Sequence, residues 1–253
     1  MAEHIFQALD KNNNYFNYIE LYVQPGDIDN LTPNLAKRIA RNEIIIHAPH
    51  MGNNFDPSAP CDPEKQSNHD KLKDAFIAAE LFKSKQIVLH GGIYYGADSL
   101  SKNIDFINEL PEQQKKLIAI ENLPYFSDSD SVIKRRYAIS SPEEVEKVIN
   151  ATGVQLCLDF SHAVCTAISS GLDPIEQIDK YLKLEPDMFH ICDGLMNVDK
   201  DLHLHLGVGD FPLKDFLKAT HGKPVSLETG KSRPRDCYAQ IQDAKKARTL
   251  YNL

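Results

Sequence analysis

No stretch of this chain approaches the ~20 consecutive apolar residues of a membrane-spanning helix. Its start, MAEHIFQALDKNN, mixes acids and amides where a secretory leader would carry an apolar core. A membrane role is therefore not expected, and the cytoplasm is the expected compartment. Cysteine is scarce. Cys61, Cys157, Cys165, Cys192 and Cys237 form an odd set with no CxxC pair, which argues against a disulfide framework. Cys157 and Cys192 sit in apolar, strand-like runs and read as buried thiols. Basic residues are outnumbered, 28 against 36 acidic, for a formal net charge of -8. That balance disfavours non-specific contact with phosphate polymers unless basic residues cluster locally. Carboxylates that cations neutralise would weaken this exclusion. No low-complexity tract or charge block marks a second unit, so residues 1–253 read as one domain.

The 253 residues are 42% hydrophobic and 25% charged, an ordinary globular composition close to the roughly 250 residues of a one-domain (β/α) barrel. Such a chain can bury a core without disulfides or a structural metal, leaving any metal free for chemistry. Seven short β-rich runs recur: YIELYV (18–23), EIIIHAP (43–49), QIVLHGG (86–92), LIAIEN (117–122), VQLCLDFS (154–161), MFHICD (188–193) and VSLETG (225–230). Helical patterns separate them, such as KLKDAFIAAELFKS (71–84) and SPEEVEKVINATG (141–153). In the latter Ser141 stands as N-cap, Glu144 completes a capping box and Gly153 ends the helix. Runs apolar on both faces suit parallel strands buried under helices. Their alternation predicts an α/β fold of the (β/α)8 TIM-barrel type, with an open doubly wound sheet as the competitor. Only seven strands are readable, because residues 3–10 look helical, so the usual first strand is expected to be missing or degenerate. The stretch from His50 to Asn68 is the longest without apparent structure, and loops of that length tend to be functional.

Every strand run except the first ends in a metal-capable side chain: His47, His90, Glu121, Asp159, His190 and Glu228. In parallel α/β folds these ends share the face that carries active sites. His162 lies just past Asp159, and Asp201 and His203 lie in the loop after His190. A lone histidine on a strand is usually a core residue bonded to backbone. Six such polar ends in register are not explained that way, because buried acids and imidazoles without partners are costly. Mixed imidazole and carboxylate ligands suit Zn, Mn or Fe better than Mg or Ca.

At these positions the chain resembles the endonuclease IV group of the xylose isomerase-like barrel superfamily. The pieces are HAPH (47–50), LHGG (89–92), IENLP (120–124), CLDFSHA (157–163), HICDG (190–194), DLHLHLGVG (201–209) and SLET (226–229), in the family's order. The resemblance implies up to three divalent ions. His47, His90 and Glu121 would hold one, with Glu121 bridging to a second completed by Asp159, His190 and Glu228. His162, Asp201 and His203 would bind the third. It also implies phosphodiester hydrolysis and, as partner, DNA containing abasic sites, hence DNA repair.

There are departures from the family. Leu123, Pro124 and Tyr125 follow Glu121 where the family has small residues, and Phe160-Ser161 stand for Thr-Cys. Ile191-Cys192-Asp193-Gly194 stand for Asn-Asp-Ser-Lys, and His50 replaces an aromatic. The family's Trp-bearing DNA-contact loop has no counterpart, and the chain has no Trp. If DNA is the substrate, His50, Met51, Asn53 and Phe55 would have to supply the groove wedge, and Lys231, Arg233 and Arg235 the phosphate contacts. Lys134, Arg135 and Arg136 read as surface. The alternative is a sugar isomerase or epimerase of the same superfamily acting on a small sugar or phosphorylated substrate. It would use Glu121, Asp159, His190 and Glu228 around one ion, with Glu121 and Glu228 as the catalytic pair passing a proton. The five extra ligands favour hydrolysis.

Overall fold

The computed structural model describes residues 10–59, 62–126, 134–230 and 237–252. Of the segment 3–10, read as helical, only Asp10 falls among them. The strands are β1 (Tyr18–Tyr22), β2 (Glu43–His47), β3 (Ile87–His90), β4 (Ile118–Glu121), β5 (Gln155–Asp159), β6 (Met188–Ile191) and β7 (Val225–Leu227). All run parallel in chain order and form a nearly closed barrel. The open-sheet alternative is thereby set aside. Around the strands lie α1 (Pro33–Ile39), α2 (Asp62–Phe82), α3 (Ser99–Asn108), α4 (Glu112–Lys115), α5 (Pro142–Thr152), α6 (Phe160–Ser169), α7 (Pro174–Leu182), α8 (Leu213–Ala219) and α9 (Tyr238–Asn252).

Local chemistry sets the element ends. At α5, Ser141 Oγ accepts the Glu144 N–H (3.2 Å), Glu144 Oε2 accepts the Ser141 N–H (2.9 Å), and Gly153 closes the helix at φ +71°. The stretch 50–68 departs from its loop reading. Met51–Asn53 form a 3-10 turn, and α2 begins at Asp62. Pro63, a loop marker by sequence, occupies the first helical turn, where its missing N–H costs no hydrogen bond.

The strands alternate strictly. Ile44, Ile46, Ile87, Leu89, Ile118 and Ile120 face outward into the core shared with the helices. Ile45, Val88, Ala119, Cys157 and Met188 face inward with Tyr18 and make a second apolar cluster inside the barrel. Fully burying an aliphatic side chain of this size stabilises by about 1.5–3 kcal/mol. The barrel thus has an apolar floor of its own. Two residues further along each of these strands, on the same face, stand His47, His90, Glu121, Asp159 and His190. Register sets His90 beside Glu121 and Asp159 beside His190, while His47 pairs with Val88 and Glu121 with Cys157, so the polar ends step by two residues around the barrel.

The ladder's two ends, β1 and β7, meet through side chains. The Tyr18 hydroxyl lies 2.8 Å from Ser226 Oγ, and the Ser226 hydroxyl donates to Glu20.

Candidate metal centre

The strand ends place their polar side chains around Glu121, which is completely buried. Its two oxygens face different neighbours. Oε2 lies 2.9 Å from His90 Nε2 and 3.7 Å from His47 Nε2. Oε1 lies 3.5 Å from His190 Nδ1 and 3.1 Å from His162 Nδ1. His190 Nδ1 is also 3.0 Å from Glu228 Oε1. Despite these distances, both Glu121 oxygens, Asp159 Oδ2 and His190 Nδ1 are buried without a hydrogen bond. The atoms crowd together, but their lone pairs and N–H bonds do not point at one another.

The histidines explain this. His47 Nδ1 is 2.8 Å from Ala48 O, His162 Nδ1 is 2.9 Å from Asn122 O, and His203 Nδ1 is 2.6 Å from Glu228 O. His190 does the reverse, with Nε2 3.0 Å from Glu20 Oε2. Each ring therefore uses one nitrogen as an N–H donor to an oxygen and turns the other toward the carboxylates. Imidazoles that ligate metals are anchored in this way. Ligand atoms of His47, His90 and Glu121 lie within 4.8 Å of one another, as do those of Glu121, Asp159, His190 and Glu228. Buried acceptors without donors, anchored imidazoles and a mixed N/O donor set all fit divalent cations of the Zn, Mn or Fe kind.

A further cluster forms at the loop after β6. Asp201 Oδ2 lies 2.8 Å from His203 Nε2 and 3.3 Å from His162 Nε2. Its Oδ1 accepts from the Ser161 hydroxyl at 2.7 Å and from the Cys192 thiol at 3.7 Å. Cys192, Asp201 and His203 also form a group within 4.8 Å. Because the thiol and Ser161 hold Oδ1, Oδ2 is the oxygen turned toward His162 and His203. His203 sits at φ +46°, an uncommon left-handed conformation for a side chain of this size. The Gly230 N–H, bonding His203 O at 2.6 Å, helps hold it there.

Several supports were not foreseen from sequence. Asn122 clasps β4 to β5, donating to Asp159 O (2.9 Å) and accepting from Asp159 N (2.8 Å). Asp193 accepts N–H bonds from Gly194 (2.9 Å), Gly207 (2.6 Å), Gly209 (3.0 Å) and Phe211 (3.3 Å). It thereby pegs the loop that carries Asp201 and His203. A Cβ on Gly209 would collide with Gly194 O, so only glycine fits this approach. Glu20 was hidden mid-strand, although its two-residue spacing from Tyr18 and Tyr22 marks it as inward-facing.

The expected substrate residues fare unevenly. His50 stacks on Tyr22 (5.1 Å between centroids) and His90 (5.6 Å), and its Nδ1 accepts the Gly52 N–H at 2.9 Å. Burial, with His90 and His47 beside it, pushes its pKa down to about 4. Phe55 is a correction: it is buried against Phe106, so it cannot act as a wedge. Asn53 is engaged with the Tyr22 hydroxyl and with Gln24. Lys231, Arg233 and Arg235 lie outside the described residues. Arg136 is less superficial than its sequence suggests, lying over the Tyr94 and Tyr125 rings (4.3 and 4.7 Å) and pairing with Glu144.

Without cations, the acids draw protons onto His47, His162, His190 and His203, whereas burial holds His90 down. The Asp201 hydrogen bond raises the His203 pKa to about 9, against the effect of burial. Burial opposes charge at Glu121, yet His90 and His190 hold it well below the usual carboxylate range. The unfolded chain titrates its imidazoles at ~6.5. The stability contributed by the raised His203 is therefore complete below ~6.5 and lost as pH climbs through about 9. Metal-free protein is expected to melt at progressively lower temperature between pH 7 and 10. A melting temperature that rises over that interval would contradict the Asp201–His203 pairing.

A family model described as a xylose isomerase-like TIM barrel matches residues 9–248. No curated protein matches the chain. Among solved structures, endonuclease IV from Thermus thermophilus is 16% identical at TM-score 0.67, covering 98% of this chain and 94% of its own. A D-tagatose 3-epimerase-like protein is 18% identical at TM-score 0.69, covering 94% of this chain and 87% of its own. A Thermus thermophilus protein soaked with zinc chloride is 19% identical at TM-score 0.71, covering 99% and 94%. At these identities the likeness is one of fold. Among the described residues no helix is long and apolar enough to cross a membrane.

Proposed function

This chain belongs to the xylose isomerase-like TIM barrel family, and from that premise we propose that it is a metal-dependent phosphoric-ester hydrolase with DNA at abasic sites as its substrate. The observation that carries this reading is Glu121, whose Oε2 faces His47 and His90 while its Oε1 faces His190. A carboxylate so placed is built to bridge two cations. Glu228 and Asp159 would complete the second position, and His162, Asp201 and His203 would form a third near the mouth. Divalent cations bound there would supply an activated water and neutralise charge on the phosphoryl oxygens and the leaving alkoxide. The protein's own part is to fix these donors before substrate arrives. Glu121 and Asp159 sit in a fully buried layer, while the half-exposed His203 borders solvent. His50, neutral at physiological pH, can offer a hydrogen bond but not a charge. The buried thiols of Cys157 and Cys192 suit a reducing compartment, in keeping with the cytoplasm.

The second reading, a sugar isomerase or epimerase, draws on the compact group of Glu121, Asp159, His190 and Glu228. One ion among these four would leave Glu121 and Glu228 to move the proton. It gives no role to the second ring nitrogens of His47, His162 and His203, the Nε2 atoms turned toward the carboxylates. The deciding assay incubates metal-replete protein with a duplex carrying one abasic-site analogue across a salt series. A panel of ketohexoses is run in parallel. Incision, weakening steeply with salt as phosphate contacts dictate, is the expected outcome. Carbon-centred exchange on a sugar with no incision would overturn the hydrolase reading.

A further inference from the structure

The geometry points to Glu20, on β1, as the positioning residue for His190, and through Ser226 as the link between the metal centre and the open seam of the barrel. This rests on the reading of His190 as a metal ligand. His190 is fully buried, and its Nε2 is hydrogen-bonded to Glu20 Oε2 at 3.0 Å. Its Nδ1 has no hydrogen bond, although Glu228 Oε1 is 3.0 Å away and Glu121 Oε1 3.5 Å away. A neutral imidazole carries one proton, and whichever nitrogen holds it cannot ligate. With Glu20 as acceptor, the proton belongs on Nε2 and the Nδ1 lone pair is available. Without it, the buried Nε2–H would lose its carboxylate acceptor, which is costly. The proton would then move to Nδ1, toward Glu228 and Glu121, and block the position a cation needs.

Glu20 does not act alone. The Ser226 hydroxyl donates to the same Oε2, and the Tyr18 hydroxyl lies 2.8 Å from Ser226 Oγ. Ser226 is on β7 and Glu20 on β1, the two strands whose edges no backbone ladder joins. The acceptor that sets the His190 tautomer is thus aimed by both sides of the seam. Residues 206 apart in sequence meet to do it. Glu20 also lies within 4.8 Å of His47 and Glu228, so a direct ligand role is the competing account. Its Oε2 already receives two donors, so only Oε1 is left for a cation, and the two roles separate in the titration below.

Cobalt(II) titration, read by visible absorption and by metal count, tests this on the intact protein, Glu20→Ala and Glu20→Gln. Glu20→Ala is expected to lose about 10–100-fold in affinity for one ion, as removal of an outer partner does, with altered cobalt bands. Glu20→Gln retains an oxygen acceptor and is expected to recover most of that affinity and the wild-type spectrum. Identical titration and bands for Glu20→Ala and wild type would overturn the inference alone. A Gln variant no better than Ala would overturn it in favour of direct ligation. Wild-type protein that takes up no cobalt would overturn the metal reading itself, and this inference with it. Circular dichroism confirms that each variant is folded.

Discussion

Replacing Glu121 by Gln is expected to reduce turnover by at least ~10³-fold, the scale on which removing key transition-state stabilisation acts, while the barrel stays folded. The two carboxylate oxygens face separate donor sets, His47 with His90 on one side and His190 on the other. An amide offers one oxygen and one NH2, and the NH2 cannot accept a cation. Whichever way the Gln turns, one of the two positions loses its shared ligand. The fold is expected to survive because the Glu121 oxygens make no hydrogen bond that the change would break. The apolar floor beneath it, with Ala119 and Val88, is untouched. Metal content by mass spectrometry should fall alongside activity. Full turnover with wild-type metal content would show that Glu121 bridges nothing that matters.

Stripping metal with a chelator is expected to lower the melting temperature by about 8–16 °C for each site emptied and to abolish hydrolysis. A ligand at a thousandfold above its dissociation constant stabilises the folded state by about 4 kcal/mol per site. For a chain of this length each kcal/mol moves the midpoint by roughly 2–4 °C. The buried carboxylates of Glu121 and Asp159 and the partly buried Glu228 share one group with His190, so removing cations leaves three acids to be offset by imidazole protons alone. Zinc or manganese should restore both midpoint and activity, whereas magnesium should restore less, since imidazole donors suit it poorly. A midpoint indifferent to chelation, with metal removal verified, would separate this cluster from metal binding.

The barrel was legible because β2 to β6 repeat one device. An inward apolar residue is followed two positions later by a polar one, as in Ile45 and His47 or Met188 and His190. That period-two signal survives in a single sequence, since it depends only on which face each residue takes. What escaped depends on closure in space. Glu20 breaks the pattern of strand-end residues, and its meaning appears only when β1 comes beside β7. Asn122 and Asp193 close two of the strand runs, and their roles show only when their partners' backbone groups are placed. Pro63 misled because proline marks loops and first helical turns alike, and only the geometry of α2 decides between them. Cys192 reads as a buried thiol, which it is, but its bond to Asp201 follows from the course of the loop, not from spacing.

The loop pegged by Asp193 governs how its two candidate ligands, Asp201 and His203, would meet an ion. Four backbone N–H groups, from Gly194, Gly207, Gly209 and Phe211, converge on one carboxylate that belongs to the protein itself. The glycine-rich turn is thus closed on an internal anion, and its amides are not left to greet a phosphate. Asp201 and His203 are consequently held in position by the chain's own folding, and the ordering entropy is incurred then and not on association. Binding at that corner should accordingly be fast and governed by desolvation of the ion, with little slow rearrangement of the backbone following capture.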